Sequence, residues 1–145
     1  MPEAQEKHRV LILCTGNSVR SQMAEGLLRH LGQSQYEVHS AGTSPIGVSP
    51  LAIEVMRESG IDISGHRSKS VAEFRGQRFA TVITVCDSAA QACPSFPGAP
   101  RRIHWSIQDP GAARGTHEER LEAFRRIRDD LQARLRSFVS SAATA

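Results

Sequence analysis

Residues 10–13 read Val-Leu-Ile-Leu, apolar without alternation, and the run stops at Cys14. An extended segment that is apolar on both sides must be covered on both faces, as a central strand of a parallel sheet is. The segment Phe79-Ala-Thr-Val-Ile-Thr-Val-Cys86 makes the same demand and also ends on a cysteine. Tyr36 to Ser40 and Arg101 to Trp105 read as two further strands. Helical spacing lies between and after them. From Arg20 to Leu31, Met23, Leu27 and Leu31 recur every four residues with Leu28 beside them, and Gly32 stops the helix. Ser49 caps a helix that starts at Pro50 and stops at Gly60, with Ile53, Val55 and Met56 on its apolar side. A third and longer helix runs from His117 to Val139, with Leu121, Phe124, Ile127 or Arg128, Leu131, Leu135 and Phe138 in register. The tail from Ser140 is expected to fray.

The remaining stretches are loops. Gly42 to Pro50 is rich in Gly, Ser and Pro. Ile61 to Arg75 holds a short helix around Ser70 to Phe74. Asp87 to Pro100 contains three prolines and a glycine, and Asp109-Pro-Gly is a turn. Strands alternating with helices imply an α/β fold: a parallel sheet flanked by helices on both faces. At 145 residues the chain has the length of one domain, and residues 1–145 are read as such. A domain of this size buries roughly two thirds of its unfolded surface, so it needs neither disulfides nor a structural metal to fold.

Composition narrows the function. With 39% hydrophobic and 23% charged residues the chain is neither disordered nor fibrous. Its charge is +3, from 18 Lys and Arg against 15 Asp and Glu. That excess is small and scattered, and no basic patch interleaves with aromatics, which argues against nucleic-acid binding. A mildly positive field does attract small anions. The opening MPEAQEKH has no apolar signal region, and no run approaches the ~20 apolar residues of a membrane helix. Three cysteines, an odd number, fit a secreted disulfide scaffold poorly. A cytoplasmic chain with chemically active cysteines is expected.

The first constellation is Cys14-Thr15-Gly16-Asn17-Ser18-Val19-Arg20, a loop between a strand and a helix. Backbone N–H groups of such a loop converge on its centre, and the helix N-terminus adds partial positive charge. Cysteines placed there favour the nucleophilic thiolate. Arg20 offers a planar fork to two oxygens of a bound anion. Gly16 and Asn17 tolerate the positive φ of a tight loop, and Ser18 and Ser21 are placed to donate to the sulfur. The reading is a nucleophilic Cys14 in a site for a tetrahedral oxyanion built from Thr15, Gly16, Asn17, Ser18, Val19, Arg20 and Ser21. The second constellation is Cys86 and Cys93, with six residues between them, most of them small. A loop this short closes cheaply into a disulfide if the Cα atoms come within about 7 Å. Zinc would need more ligands than the scattered histidines supply, with His104 alone near in sequence; two unrelated buried cysteines are the remaining reading. The third is Asp109, a loop carboxylate after a strand, able to act as general acid or base.

Together these residues resemble a known family. Cys14-Thr-Gly-Asn-Ser-Val-Arg-Ser-Gln-Met-Ala-Glu-Gly26 is similar to the active-site signature of thioredoxin-coupled arsenate reductases, which share the fold of low-molecular-weight protein tyrosine phosphatases. Val38 to Gly42, Val85 to Asp87, Cys93 to Pro97 and Trp105 to Pro110 follow in the same order, so the likeness spans about residues 9–138. It implies a four-stranded parallel sheet and a relay serving arsenic detoxification. Cys14 would attack arsenate held by Arg20 and the loop, and Asp109 would protonate the leaving oxygen. Cys86 would resolve the adduct as a Cys14–Cys86 disulfide, and Cys93 would shift it to Cys86–Cys93. Reduced thioredoxin would restore the thiols. No bound cofactor or metal is implied, phosphate and sulfate would act as oxyanion mimics, and a monomer is expected. Some relatives bind potassium through residues matching Asn17, Glu25 and Ser40 plus an aspartate. That last position is Lys69 here, so its ammonium is expected to replace the ion beside Glu25. The alternative is a phosphatase for phosphotyrosine or small phosphoesters, using Cys14 and Asp109. Two features oppose it: it has no use for Cys86 and Cys93, and the loop from Thr43 to Pro50 has no aromatic wall. His66 and His104 read as structural or surface residues, and the arginines from Arg120 to Arg136 as a solvated helix face.

Overall fold

A computed structural model describes residues 7–87, 89, 96 and 100–144. Four parallel strands, β1 (His8–Cys14), β2 (Tyr36–Gly42), β3 (Thr81–Thr84) and β4 (Arg101–His104), stand in the order β2-β1-β3-β4. Cys14 pairs with Gly42, Leu13 with Thr84, and Thr84 with His104. The carboxyl ends of all four strands therefore share one edge of the sheet. The chain leaves β1 toward β2 on one side and later crosses to β3 on the other. In open parallel sheets the crevice at such a reversal is where ligands bind, and Cys14 closes the strand beside it.

Helix α1 (Arg20–Gly32) and helix α3 (His117–Thr144) cover the face that carries Val10, Ile12 and Val38. Phe138 of α3 stacks within 6.0 Å of both His8 and Tyr36. Helix α2 (Pro50–Glu58) packs on α1 and α3, and the Ser49 side chain caps its N-terminus. Leu27, Leu28, Met56, Leu131 and Leu135 are essentially solvent-free; each such side chain contributes about 1.5–3 kcal/mol on burial. The position shared by Ile127 and Arg128 is resolved by reach. Arg128 lies along the core edge and donates to Val55 O at 2.8 Å and to Glu58 at 3.0 Å, tying α3 to α2. The opposite sheet face, with Leu11, Leu13 and His39, is covered by a 3-10 turn at Val71–Phe74 together with Phe79 and Phe96. Phe74 meets His39 at 5.3 Å, and Phe79 meets Phe96 at 5.7 Å.

Four details differ from the sequence reading. Gly32 stays right-handed at φ −88° and supplies no left-handed cap; the positive φ falls on Gln33 at 50°. Gly32 is required for space, because a Cβ there would fall 2.4 Å from the Tyr36 ring. Strand β3 is shorter than Phe79–Cys86, although Ala80 and Val85 N–H extend its bonding to Arg9 O and Leu13 O. Asp87 and Ala89, expected in a loop, are helical, in keeping with the helix propensity of an alanine-rich stretch. The rest of that stretch, Cys93 included, lies outside the described residues except Phe96 and Pro100. Finally, the C-terminal residues stay helical to Thr144 instead of fraying from Ser140. Among the described residues no helix is long and apolar enough to cross a membrane.

Candidate active site

The loop from Cys14 to Arg20 is built so that its carbonyls are spoken for. Thr43 N–H donates to Cys14 O at 3.3 Å, Ser44 to Thr15 O at 2.8 Å, Ile46 to Gly16 O at 3.0 Å and Ser49 to Ser18 O at 3.1 Å. Gln22 Nε2 donates to Asn17 O at 3.2 Å, and Met23 N–H to Val19 O at 2.9 Å. Each carbonyl from Cys14 to Val19 is thus engaged by a donor outside the loop, most of them in the segment 43–49. An anion site must turn its carbonyls away and its amides inward, and this pattern does so. Gly42 makes the approach possible: a Cβ there would lie 2.5 Å from Thr15 O and 2.9 Å from Asn17 N.

Asn17 holds the loop from within. It is fully buried at φ 46°. Its Nδ2 donates to Ser21 Oγ at 2.8 Å and Ser40 Oγ at 2.9 Å, while Oδ1 accepts from Gln22 Nε2 at 3.0 Å and Lys69 N–H at 2.8 Å. The positive φ falls on Asn17 and not on Gly16, where a Cβ would instead press on Ile46 at 3.0 Å. Ser21 carries the order outward, its Oγ lying 2.9 Å from Cys14 Sγ. Ser18, the other expected donor, lines the cavity. Helix α1 starts at Arg20 without a side-chain cap on Val19, so its first N–H groups are available to an anion.

That cavity measures about 470 Å³ and opens over Cys14. Arg20 reaches across it and donates to Ile107 O at 2.9 Å, which ties the anion loop to the segment that carries Asp109. Asp109 lines the same cavity, its Oδ1 accepting from Gly111 N–H at 2.9 Å and capping a 3-10 turn at Pro110–Ala112. The structure therefore brings Cys14, Thr15, Gly16, Ser18, Val19, Arg20 and Asp109 around one space, with Asn17 and Ser21 buried behind it. Cys86 stands beside it. Strand register sets it opposite Thr15, and its Sγ lies 3.2 Å from Thr15 Oγ1. Cys14 and Cys86 are both buried free thiols.

Sequence reasoning missed part of the wall. Ile46, which is 78% exposed, Leu51, Arg120 and Phe124 all line the cavity. By sequence Arg120 belongs to the solvated face of its helix, and the segment 43–50 offers no aromatic wall. Phe124 supplies it from α3. Helical periodicity identifies the inner face of α3, but which turn of that face overlooks Cys14 depends on the docking of the helix.

Behind Asn17 lies a second buried cluster. The Glu25 side chain, 2% exposed, accepts from Ser40 Oγ at 2.6 Å and pairs with Arg29 at 2.8 Å, His66 at 3.5 Å and Lys69 at 3.7 Å. Lys69 Nζ also donates to Arg67 O at 2.8 Å. Burial pulls the Lys69 ammonium below its usual range, with Glu25 opposing the shift. His66 Nδ1 meets Gln22 Oε1 at 2.9 Å, and burial lowers its pKa as well. His66 is thus a structural residue, as expected.

The whole chain has relatives. Residues 9–144 match the family model described as low molecular weight phosphotyrosine protein phosphatase. An arsenate reductase of Halalkalibacterium halodurans is 42% identical over 135 residues, covering 93% of this chain and 97% of that protein. A solved arsenate reductase in a phosphate-binding state is 31% identical at a TM-score of 0.76, covering 94% of this chain and 98% of that one. A thioredoxin-dependent arsenate reductase of Corynebacterium glutamicum is 28% identical at a TM-score of 0.73, covering 95% of this chain and 63% of that one. With its sheet order, its oxyanion loop and this extent of likeness, the chain belongs to the low molecular weight phosphotyrosine protein phosphatase family, alongside that family's arsenate reductases.

Proposed function

We propose that this chain reduces arsenate to arsenite through a relay of three thiols. The observation that carries the reading is Cys86, a second buried thiol held against Thr15 of the oxyanion loop, for which phosphoester hydrolysis has no use. The Cys14 thiolate attacks arsenic, and an arsenate oxygen leaves as water, taking its proton from Asp109. Arg20 and the loop amides hold the remaining oxygens. The Cys86 thiolate then attacks Cys14 Sγ. The sulfur–arsenic bond breaks, its electron pair stays on arsenic, and As(V) becomes As(III) as the Cys14–Cys86 disulfide forms. Cys93 attacks Cys86, frees Cys14 and leaves Cys86–Cys93 for reduced thioredoxin. Each step requires a deprotonated attacking sulfur with access to its target. The Corynebacterium glutamicum neighbour, a thioredoxin-dependent arsenate reductase, supports that donor. The chain acts as a cytoplasmic monomer and binds phosphate or sulfate as mimics. Weak phosphoester hydrolysis through Cys14 and Asp109 accompanies it as a side activity.

Steady-state turnover tests this reading. With arsenate, thioredoxin, its reductase and NADPH, the wild type consumes NADPH, and Cys86→Ser and Cys93→Ser each stop it. Full turnover in both variants contradicts the relay; turnover driven by glutaredoxin and not by thioredoxin contradicts the donor.

Lys69 replaces the potassium ion that some relatives bind. A cation does not fit beside Glu25 while the Lys69 ammonium lies 3.7 Å from it in a half-buried position. Exchanging sodium for potassium at constant ionic strength is therefore expected to leave the melting temperature and kcat of the wild type unchanged. In Lys69→Asp, potassium raises both. A potassium response in the wild type contradicts the replacement.

A further inference from the structure

Side chains alternate along a strand, and alternation sets the two thiols apart. Leu13 lies opposite Thr84, and Val85 N–H still donates to Leu13 O at 2.9 Å. Cys14 therefore shares the sheet face of Ile12 and Ile83, whereas Cys86 shares that of Leu13 and Thr84. Their contacts agree: Cys14 Sγ turns to Ser21 Oγ, and Cys86 Sγ to Thr15 Oγ1. A disulfide needs converging Cβ vectors. For Cys86 to attack Cys14, the backbone at residues 86 and 87 must swing away from where the strand leaves it.

One side-chain assembly opposes that swing. His104 ends β4 directly opposite Thr84. Its Nδ1 lies 2.7 Å from Thr84 Oγ1, and its Nε2 lies 2.8 Å from Asp87 Oδ1. In the neutral Nε2–H form the ring accepts from Thr84 and donates to Asp87. Ser106 Oγ donates to Asp87 Oδ2 at 3.5 Å. The hydrogen bonds from His104 and then Ser106 hold the Asp87 carboxyl below the usual range against the opposing effect of burial, and the nearby Arg20 charge adds to the lowering. The imidazole thus bridges the last residue of β3 and the residue next to Cys86, spanning the point where the backbone must turn.

We propose that His104 and Asp87 are positioning residues for the resolving thiol, forming a catch that keeps Cys86 on the Thr15 side of the sheet and must open before Cys86 reaches Cys14. This rests on the relay reading. The catch belongs to the dithiol state alone, so it favours the dithiol over the Cys14–Cys86 disulfide and restrains oxidation when no substrate is bound. No electrons pass through it; they pass between the two sulfurs.

The test isolates that equilibrium from arsenate chemistry. The Cys93→Ser chain is equilibrated in buffers of reduced and oxidised dithiothreitol, quenched with an alkylating agent, and the fraction holding a Cys14–Cys86 disulfide is read by mass spectrometry. Asp87→Ala and His104→Ala are each expected to shift the equilibrium toward the disulfide by about two- to fivefold, the range open to an exposed pair. The double variant shifts it no further than either single one, because both remove the same contact. A purely structural loss would lower the melting temperature and leave this equilibrium in place. An unchanged equilibrium, a shift toward the dithiol, or fully additive effects overturn the catch while the relay stands. Failure of a Cys14–Cys86 disulfide to form in any buffer overturns both.

Discussion

Arg20→Lys lowers kcat/KM for arsenate about 10²–10³-fold, the loss that follows removal of one well-placed oxyanion donor. The substitution keeps the charge and removes the fork. One guanidinium nitrogen, Nη1, is committed to Ile107 O, and the side chain lines the cavity above Cys14, with further donors of the planar group left to bind an anion. A lysine ammonium has three donors on one atom. It cannot hold Ile107 O and also span two oxygens of a tetrahedral anion. Both the anion and the alignment of the Asp109 segment are therefore weakened. Arg20 is partly exposed, so the melting temperature should move little. Calorimetric binding of phosphate weakens in parallel with the kinetics. Wild-type kinetics in Arg20→Lys would show that the anion is held by the loop amides alone.

Asn17→Ala has the largest expected effect on stability. All four hydrogen-bonding positions of the Asn17 side chain are filled, and its partners are Ser21, Ser40, Gln22 and the backbone of Lys69. Alanine leaves donors and acceptors orphaned in a fully buried site, each at a cost of about 1–3 kcal/mol. Some of the four find other partners, so the sum is expected near 3–5 kcal/mol in urea unfolding. Activity falls with it, since Ser21 positions Cys14 Sγ. Asn17→Gly separates the two causes. Glycine relieves the positive φ and supplies none of the bonds, so it should remain nearly as unstable as alanine. Recovery to within about 1 kcal/mol of wild type in Asn17→Gly would assign the role to backbone conformation instead.

Much of this molecule was legible in the chain because its signals are local. The apolar runs before Cys14 and through Val82 and Ile83 suit covered strands, and the loop from Cys14 to Arg20 carries its chemistry in consecutive residues. The Ser49–Pro50 helix start is likewise written in neighbouring side chains. What was not legible depends on distance in sequence. Gly32 looked like a helix stop, and only the Tyr36 ring packed on it shows that size, not φ, selects glycine. Phe124 and Arg120 reach the cavity because α3 docks across α1, a packing angle that no periodicity encodes. His104 read as bland because its partners, Thr84 and Asp87, come to it through strand register. Register also places Cys86 against Thr15, a contact that the spacing of three cysteines implies in chemistry but does not locate.

If three thiols act in order on one oxyanion, a single turnover without reductant must leave its products in a fixed place. Reduced chain is mixed with stoichiometric arsenate in the absence of thioredoxin, quenched with an alkylating agent and mapped by mass spectrometry, with arsenite measured in the same sample. The expected products are stoichiometric arsenite with a Cys86–Cys93 disulfide in the wild type, and with a Cys14–Cys86 disulfide in Cys93→Ser. Arsenite released while Cys86 remains fully alkylated as a free thiol would contradict the relay.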